Sequence, residues 1–295
     1  AIVYTVIGCV GILGNLFVLL VMLRFKDLRE TVTNLFIINQ SLIDLAASFF
    51  IIATSLLRDE DAVPRGLARE IFCRAWLTNF PVWAMLVSST YNLMVVTYER
   101  YFAIVHPLKF GWRISRRRAY ALIVVVWVAG PVYNASYMFP TSYVNSEGNC
   151  SVLSVWPNEF AHSAHGVLTV VIQFFIPLFA ITCANYRIAQ ALQAQFKRCQ
   201  GEGTAATQRR LRIMKARNNT VKTLVLIFVC FIMCWVWNQV YYLLFNLSYP
   251  NIRLKGTFYH ISVIAVFCNS CLNPVVYVIK YKKFQQAVVM LVCCR

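Results

Sequence analysis

The segment Asn269-Ser270-Cys271-Leu272-Asn273-Pro274-Val275-Val276-Tyr277 places several polar residues and a proline inside an apolar stretch. A proline within a helix removes a backbone donor, and in a membrane the freed carbonyl must be satisfied by nearby polar groups. Two asparagines, a serine and a tyrosine supply such groups here. Alone, the pattern fits a kinked membrane helix with local polar repair. Because matching polar residues recur in other apolar stretches, we interpret it as part of a functional assembly.

Asp44 is the acidic residue that lies well inside an apolar stretch. A charge at the bilayer centre costs about 2.5–3.5 kcal/mol on insertion scales, so this carboxylate should face a bundle interior or a hydrated cavity. A carboxylate ringed by hydroxyl and amide oxygens suits a small hard cation, for which sodium is the natural candidate. The alternative is a protonated Asp44 that is merely hydrogen-bonded. The side chains expected at similar depth are Asn15, Ser89, Asn269, Ser270 and Asn273.

The elements that must position these residues are membrane-spanning helices. The 295 residues are 59% hydrophobic and only 13% charged, whereas a soluble domain has roughly a quarter charged residues. Apolar stretches long enough to cross about 30 Å of hydrocarbon recur along the chain. The sequence therefore predicts an all-α membrane protein, a single seven-helix bundle over residues 1–295. The expected spans lie near 1–24, 33–57, 72–104, 119–139, 164–192, 219–247 and 257–280.

Basic residues predict the orientation of the bundle. Most of the 28 Lys and Arg residues fall in the connections near 24–30, 100–118 and 187–222 and in the tail from 280. The positive-inside rule places these segments in the cytoplasm, with the N-terminus outside and the C-terminus inside. The net charge of +17 is thus a topological signal, and it favours contact with anionic lipid or an acidic cytosolic partner over nucleic-acid binding.

Two cysteines, Cys73 and Cys150, fall on the predicted outer side, where disulfides persist. A bridge between them would hold the 140–163 loop over the mouth of the bundle. Two further cysteines, Cys293 and Cys294, end the chain beside a basic amphipathic stretch, where palmitoylation is expected.

That amphipathic stretch predicts a short eighth helix over about 281–292. Its apolar residues fall on one helical face, as expected for a helix lying on the inner membrane leaflet. They are Tyr281, Phe284, Val288 and Leu291.

Taken in order, motifs in successive stretches resemble those of rhodopsin-like (class A) G-protein-coupled receptors. Each motif is weak singly, but the ordered set is specific and covers the chain from end to end. The motifs are Gly14-Asn15, Asn39-Gln40-Ser41-Leu42-Ile43-Asp44, Glu99-Arg100-Tyr101, Trp127, Pro177, Cys234-Trp235 and Asn273-Pro274-x-x-Tyr277. The resemblance implies an outward ligand pocket and a cytoplasmic surface that opens when span six swings away.

The resemblance also assigns roles to residues. Arg100 would reach toward the C-terminal segment of a G-protein α subunit, and Asp44, Ser89, Asn269, Ser270 and Asn273 would form a sodium pocket that favours the inactive state. Sodium is an allosteric ligand in this scheme, and no cofactor is required. The residues expected to switch the receptor are Glu99, Arg100, Tyr101, Pro177, Phe231, Trp235, Asn273, Pro274 and Tyr277.

Two positions narrow the expected ligand. Val82 stands where amine receptors carry an aspartate, and Phe267 stands where opsins carry the retinal-bearing lysine. The segments 97–101 and 238–244 resemble those of neuropeptide receptors of the galanin, somatostatin and allatostatin type. We therefore expect a plasma-membrane receptor for an extracellular peptide. The residues expected to line its pocket are Val82, Trp83, Gln173, Asn238, Gln239, Tyr242 and Tyr259.

Four features depart from the family pattern. Two extra residues separate Cys73 from Arg100, which predicts either a loop position for Cys73 or a bulge near Pro81. Trp237 replaces a proline, which should straighten span six. The remaining departures are Asn185 in place of a tyrosine, and Arg217 where many relatives carry an acid that pairs with the span-three arginine. The absence of that pair predicts detectable basal signalling.

Three alternatives remain at the level of sequence. The departures in spans five and six allow a decoy or structural protein that no longer couples. The polar cluster around Asp44 allows a transporter or channel, although inverted repeats and discontinuous spans are not evident. An intramembrane enzyme lacks support because no aspartate pair, Ser/His dyad or His-Glu-x-x-His helix is found.

Overall fold

The computed structural model describes residues 1–59, 62–107, 114–199, 205–254 and 256–293. Among these residues, seven helical segments are long and apolar enough to cross a membrane, as the sequence predicts. These segments, called spans one to seven below, are Ile2–Arg24, Val32–Leu56, Leu67–Val105, Arg116–Thr141, Glu159–Lys197, Met214–Asn246 and Thr257–Lys280. A four-residue helix, Lys26–Arg29, joins spans one and two.

Span three is the central helix of the bundle and span four is peripheral. Of the most apolar part of each span, 67% is buried in span three and 28% in span four. Span four exposes a row of valines to the surroundings, whereas polar residues such as Asn92 and Ser89 in span three are buried. This arrangement follows from a lipid environment, which leaves apolar side chains outside and requires polar groups to find partners inside.

Small residues permit close approach between neighbouring spans. Gly130 in span four lies against span three, so that a Cβ added there would meet the Ser88 hydroxyl and stand 2.5 Å from the Ala84 carbonyl oxygen. Gly11 in span one lies against Ser48 of span two. Contacts of this kind are the usual basis of helix packing in membranes, where burial of apolar surface gives little driving force.

Span three contains the irregularity near Pro81. The π-helical turn Phe72–Leu77 is followed by Asn79, whose φ of 57° is left-handed, and the helix restarts as Phe80–Val105. A π-turn accommodates an extra residue within a helix. Cys73 is therefore helical, and the extra residues between Cys73 and Arg100 are absorbed in this segment.

Span five has a similar interruption, and span six has none. Span five comprises the α-helix Glu159–Val170, the π-turn Val171–Phe175 and the α-helix Ile176–Cys199, so the π-turn precedes Pro177 and its missing N–H. In span six, the α-helix Ala205–Asn246 runs without a break past Trp237, whose residue surface is 62% exposed.

A disulfide closes one end of the bundle, called the disulfide end below; the opposite end is called the Arg100 end. The strands Tyr143–Val144 and Cys150–Ser151 pair antiparallel. Cys150 is bonded to Cys73 with a Cα–Cα distance of 5.5 Å. The hairpin between spans four and five is thereby attached to span three over the middle of the bundle.

The short C-terminal helix, Lys282–Val292, packs on the bundle. Of its predicted apolar face, Tyr281 and Phe284 are buried, and the Phe284 ring lies edge-on to Phe17 of span one at 6.0 Å. Val288 and Leu291, the other two residues of that face, are half-buried against the same core. The predicted apolar face therefore packs against spans one and seven, and the exposed Val289 and Met290 lie outside it.

We predict that Gly130→Val destabilises the fold by about 1–3 kcal/mol, because the added side chain cannot fit against Ala84 and Ser88 without moving a backbone. The measurement is the thermal unfolding midpoint of the purified protein. Ala121→Val, at an exposed position of the same helix, is the matched control and should leave the midpoint unchanged. Equal midpoints for the two variants would contradict the close packing.

Candidate functional site

A cavity of about 560 Å³ opens at the disulfide end between several spans and the hairpin. It is lined by six of the seven predicted pocket residues, namely Trp83, Gln173, Asn238, Gln239, Tyr242 and Tyr259. Val82 does not line the cavity; it is 0% exposed and packs in the core. Adjacent residues of a helix face different directions, and Trp83 rather than Val82 faces the cavity.

The cavity also contains residues that the sequence interpretation missed. Arg58 and Arg253 supply its positive charge, and Tyr4, Tyr137, His260 and Phe267 add aromatic surface. The Tyr4 hydroxyl and His260 Nδ1 are hydrogen-bonded at 2.8 Å, which joins spans one and seven across this mouth. The two arginines lie in connections, and the aromatic residues lie on helix faces whose orientation the sequence does not fix, so neither group could be assigned to the cavity from sequence.

Below the cavity lies a buried aromatic layer. Trp235 is 0% exposed, and its ring centroid is 5.6 Å from that of Phe231, which in turn lies 6.0 Å from Phe174 of span five. Pro177 is buried one turn further along span five. The layer connects spans five and six directly beneath the cavity, so a ligand that displaces Trp235 would act on both.

In the middle of the bundle, Asp44 is fully buried and accepts several hydrogen bonds. Ser89 donates to Oδ1 at 2.9 Å, and Asn273 donates to Oδ2 at 2.7 Å. Gln40 also donates to Oδ2, at 3.2 Å. Of the remaining predicted partners, Ser270 lies near the carboxylate and Asn269 is buried, but neither side chain makes a direct hydrogen bond to Asp44 within the part of the chain that the structure describes.

Asn15 joins the same region through the backbone of span seven. Its side-chain amide donates to the Ser270 carbonyl oxygen at 3.0 Å. This carbonyl lies four residues before Pro274, whose nitrogen carries no hydrogen to satisfy it. The polar repair expected around the proline is therefore supplied by span one, and the sodium site itself stays a prediction.

At the Arg100 end, Glu99 holds Arg100. Two nitrogens of the guanidinium donate to the two carboxylate oxygens, each at 2.6 Å, and the carboxylate also accepts from Thr33 of span two at 2.8 Å. Tyr101 lies beside this pair, with its hydroxyl 3.4 Å from His106 Nε2. Paired bonds between guanidinium and carboxylate are strong and directional, so the arginine is held toward spans two and three.

Two tyrosines near the end of span seven are buried between helices. Tyr277 packs near Tyr281 and Phe284, with ring centroids 6.5 Å from each. The Tyr281 hydroxyl donates to Asn34 Oδ1 of span two at 2.6 Å. Burial raises the pKa of Tyr281 to about 12, which keeps its hydroxyl a neutral donor.

A contact that was not predicted from the sequence attaches span six to the end of span seven. Asn219 donates through its side-chain amide to the Lys280 carbonyl oxygen at 2.7 Å, and its side-chain oxygen accepts from the Lys282 backbone N–H at 3.3 Å. These backbone groups are the end of span seven and the start of the C-terminal helix, both of which lack helical partners. Arg217, two residues earlier, is exposed.

Comparison with known proteins agrees with this arrangement. A sequence model of the family described as "7 transmembrane receptor (rhodopsin family)" matches residues 14–277. The chain therefore belongs to the rhodopsin family of seven-transmembrane receptors, which are signalling receptors and not enzymes. The crystal structure of squid rhodopsin has a similar fold, with a TM-score of 0.76 and 20% identity, over 100% of this chain and 86% of that one.

Among relatives, the "Tachykinin-like peptides receptor 86C" of Drosophila melanogaster is 27% identical over 100% of this chain, which spans only 58% of that receptor's length. The "QRFP-like peptide receptor" of Branchiostoma floridae is 26% identical, over 99% of this chain and 77% of that receptor. The human "Growth hormone secretagogue receptor type 1" is 28% identical, over 95% of this chain and 76% of that receptor.

We predict that Asn219→Ala raises ligand-independent signalling several-fold. Each lost hydrogen bond removes about 0.5–1.5 kcal/mol from the arrangement in which span six is fastened to span seven. The measurement is G-protein activation in cells at matched surface expression. Asn218→Ala is the control, since Asn218 makes no side-chain hydrogen bond with the described residues. Unchanged basal output in Asn219→Ala would show that this contact does not hold span six.

Proposed function

We propose that the chain is a plasma-membrane receptor that binds an extracellular neuropeptide and activates a heterotrimeric G protein by outward movement of span six. The observation that carries this proposal is the cavity of about 560 Å³ at the disulfide end, polar and aromatic rather than acidic. A cavity of this size accommodates a few residues of a peptide, while the rest of the ligand would lie on the hairpin. Named relatives that bind peptides support the same class.

In this proposal the disulfide end faces outward and the Arg100 end faces the cytosol. Basic residues at the described ends of spans five and six, such as Lys197, Lys215 and Arg217, lie at the Arg100 end and complement an acidic partner surface or anionic lipid, with no role in nucleic-acid binding. Cys293 is exposed after the C-terminal helix and suits palmitoylation, whereas Cys294 lies outside the described residues.

The chemistry of the cavity further restricts the peptide. Arg58 and Arg253 line it, and no acidic residue is present among the described residues that do so. Both arginines are exposed residues at the mouth of the cavity, and their positive charge repels a ligand that inserts an ammonium or guanidinium group and attracts an anionic one. We propose that the inserted end of the peptide carries a carboxylate.

We predict that Arg100→Ala abolishes G-protein activation by an active peptide but retains its binding at the cell surface, because Arg100 is remote from the cavity. Gln173→Ala, which removes a buried polar group of the cavity, should instead weaken binding by about tenfold. The test is a neuropeptide library screened for G-protein activation, followed by surface binding of any active peptide. Gln190→Ala, exposed on the same span, is the control.

A library that yields no response from well-expressed protein, together with no basal output in Asn219→Ala, would contradict the receptor proposal and support a non-coupling protein.

We predict that Arg58→Gln lowers the potency of a carboxylate-bearing peptide by about tenfold, because one charge-assisted hydrogen bond is lost. The same peptide with its acidic group amidated should be weak on the original chain and unaffected by the substitution. Arg24→Gln makes an equal change of charge at an exposed position at the opposite end of the bundle and is the control. A cationic peptide that activates the chain equally with and without Arg58 would contradict the carboxylate proposal.

A further inference from the structure

The side chain of Gln40 lies beside Asp44, where a sodium ion is predicted from the sequence. Its side-chain nitrogen donates both to Asp44 Oδ2 and to the Ser89 hydroxyl oxygen, while Ser89 donates to Asp44 Oδ1. Gln40 lies one helical turn before Asp44, so its amide necessarily passes close to the carboxylate. All three residues are buried.

The direction of the Gln40 amide follows from a donor that is three hydrogen bonds away. The indole nitrogen of Trp127 can only donate, and it donates to Asn39 Oδ1 at 2.8 Å. Asn39 must then present its nitrogen to Asn92 Oδ1, at 2.8 Å, and Asn92 presents its own nitrogen to Gln40 Oε1, also at 2.8 Å. Gln40 is left with its nitrogen facing Asp44.

This series is a one-way chain of donors. It begins at Trp127 in span four and ends on the carboxylate in span two, passing through span three, and Asn273 adds a donor from span seven. Hydrogen bonds that point the same way polarise one another. The direction of the chain therefore stabilises a negative charge on Asp44 without an external cation.

The residues do not fit sodium at the place where Asp44 and Ser89 would share it. An ion that bridged these two oxygens would lie against the amide hydrogens of Gln40, which bridge the same pair. A carboxylate has about four acceptor positions, and three are taken by Ser89, Gln40 and Asn273. The ion would enter only if Gln40 turned away and broke its bonds to Ser89 and Asn92.

Three nearby oxygens offer an alternative sodium site that does not involve Gln40. Asn15 Oδ1, Ser270 Oγ and Asn273 Oδ1 are buried and have no hydrogen-bond partner among the described residues. They belong to spans one and seven, whereas Gln40 and Ser89 belong to spans two and three. A sodium ion held mainly by these oxygens would leave Gln40 undisturbed, so an experiment must separate the two arrangements.

We propose that the side-chain amide of Gln40 replaces the sodium ion, so that this receptor does not bind sodium at Asp44. The internal donor chain then ties spans two, three, four and seven together in a manner independent of salt composition. Ion binding at Asp44 can be measured without a known peptide and without a functioning G-protein contact.

The test compares the thermal unfolding midpoint of the purified full chain in equal concentrations of sodium chloride and choline chloride. The original chain should show the same midpoint in both salts. Gln40→Leu removes the amide and leaves its position beside Asp44 open to sodium. The midpoint of this variant should rise in sodium by about 2–4 °C, as expected when a ligand at a concentration well above its dissociation constant binds the folded state. That rise should vanish in Gln40→Leu combined with Asp44→Asn.

Gln190→Leu, exposed on span five, makes the same change of side chain away from the site and should show no response to sodium. Gln40→Ala serves if Gln40→Leu is too unstable to purify. A sodium-dependent rise in the original chain that is lost in Asp44→Asn would overturn the proposal in favour of the oxygens of spans one and seven. Lack of a sodium response in both Gln40 variants would also overturn it, because Gln40 would not be what excludes the ion.

Discussion

The burial of a carboxylate in the middle of the bundle is the constraint on which the rest of the structure depends. Asp44 is fully buried among helices that face lipid on their outer sides. In such a medium a polar group without a partner costs several kcal/mol, so the chain must bring donors to Asp44 from Ser89 and Asn273. These hydrogen bonds fix spans two, three and seven relative to one another. The hydrogen bonds that lead through Gln40 extend this connection to span four.

The same requirement explains the contacts at helix ends and interruptions. Asn15 satisfies the Ser270 carbonyl that precedes Pro274, and Asn219 satisfies the end of span seven together with the start of the C-terminal helix. In the proposed function, outward movement of span six breaks the contacts that Asn219 makes with the end of span seven. Span six is attached by Asn219 near the Arg100 end and by the aromatic layer around Trp235 near the cavity.

Much of the fold and part of the site were predictable. Hydrophobic length predicts the seven spans, because bilayer thickness acts on each segment separately. The motifs around Asp44, Arg100 and Pro274 predict which polar residues are buried. The sequence did not predict that Val82 would lie outside the cavity, because adjacent residues of the regular helix Phe80–Val105 face different directions and only the packing of neighbouring spans decides which of them lines the cavity.

The sequence by itself determined the fold class, the family and the identity of the intramembrane polar residues, because these depend on composition and on short-range spacing within each helix. Only the tertiary structure decided which of these residues meet. The roles of Gln40, Asn219 and Arg58 depend on partners from other spans. The residues that neighbour them in sequence do not indicate who these partners are. Side-chain partners across a bundle are set by the packing of whole helices, and a partial rotation of one helix about its axis redirects every polar side chain on it.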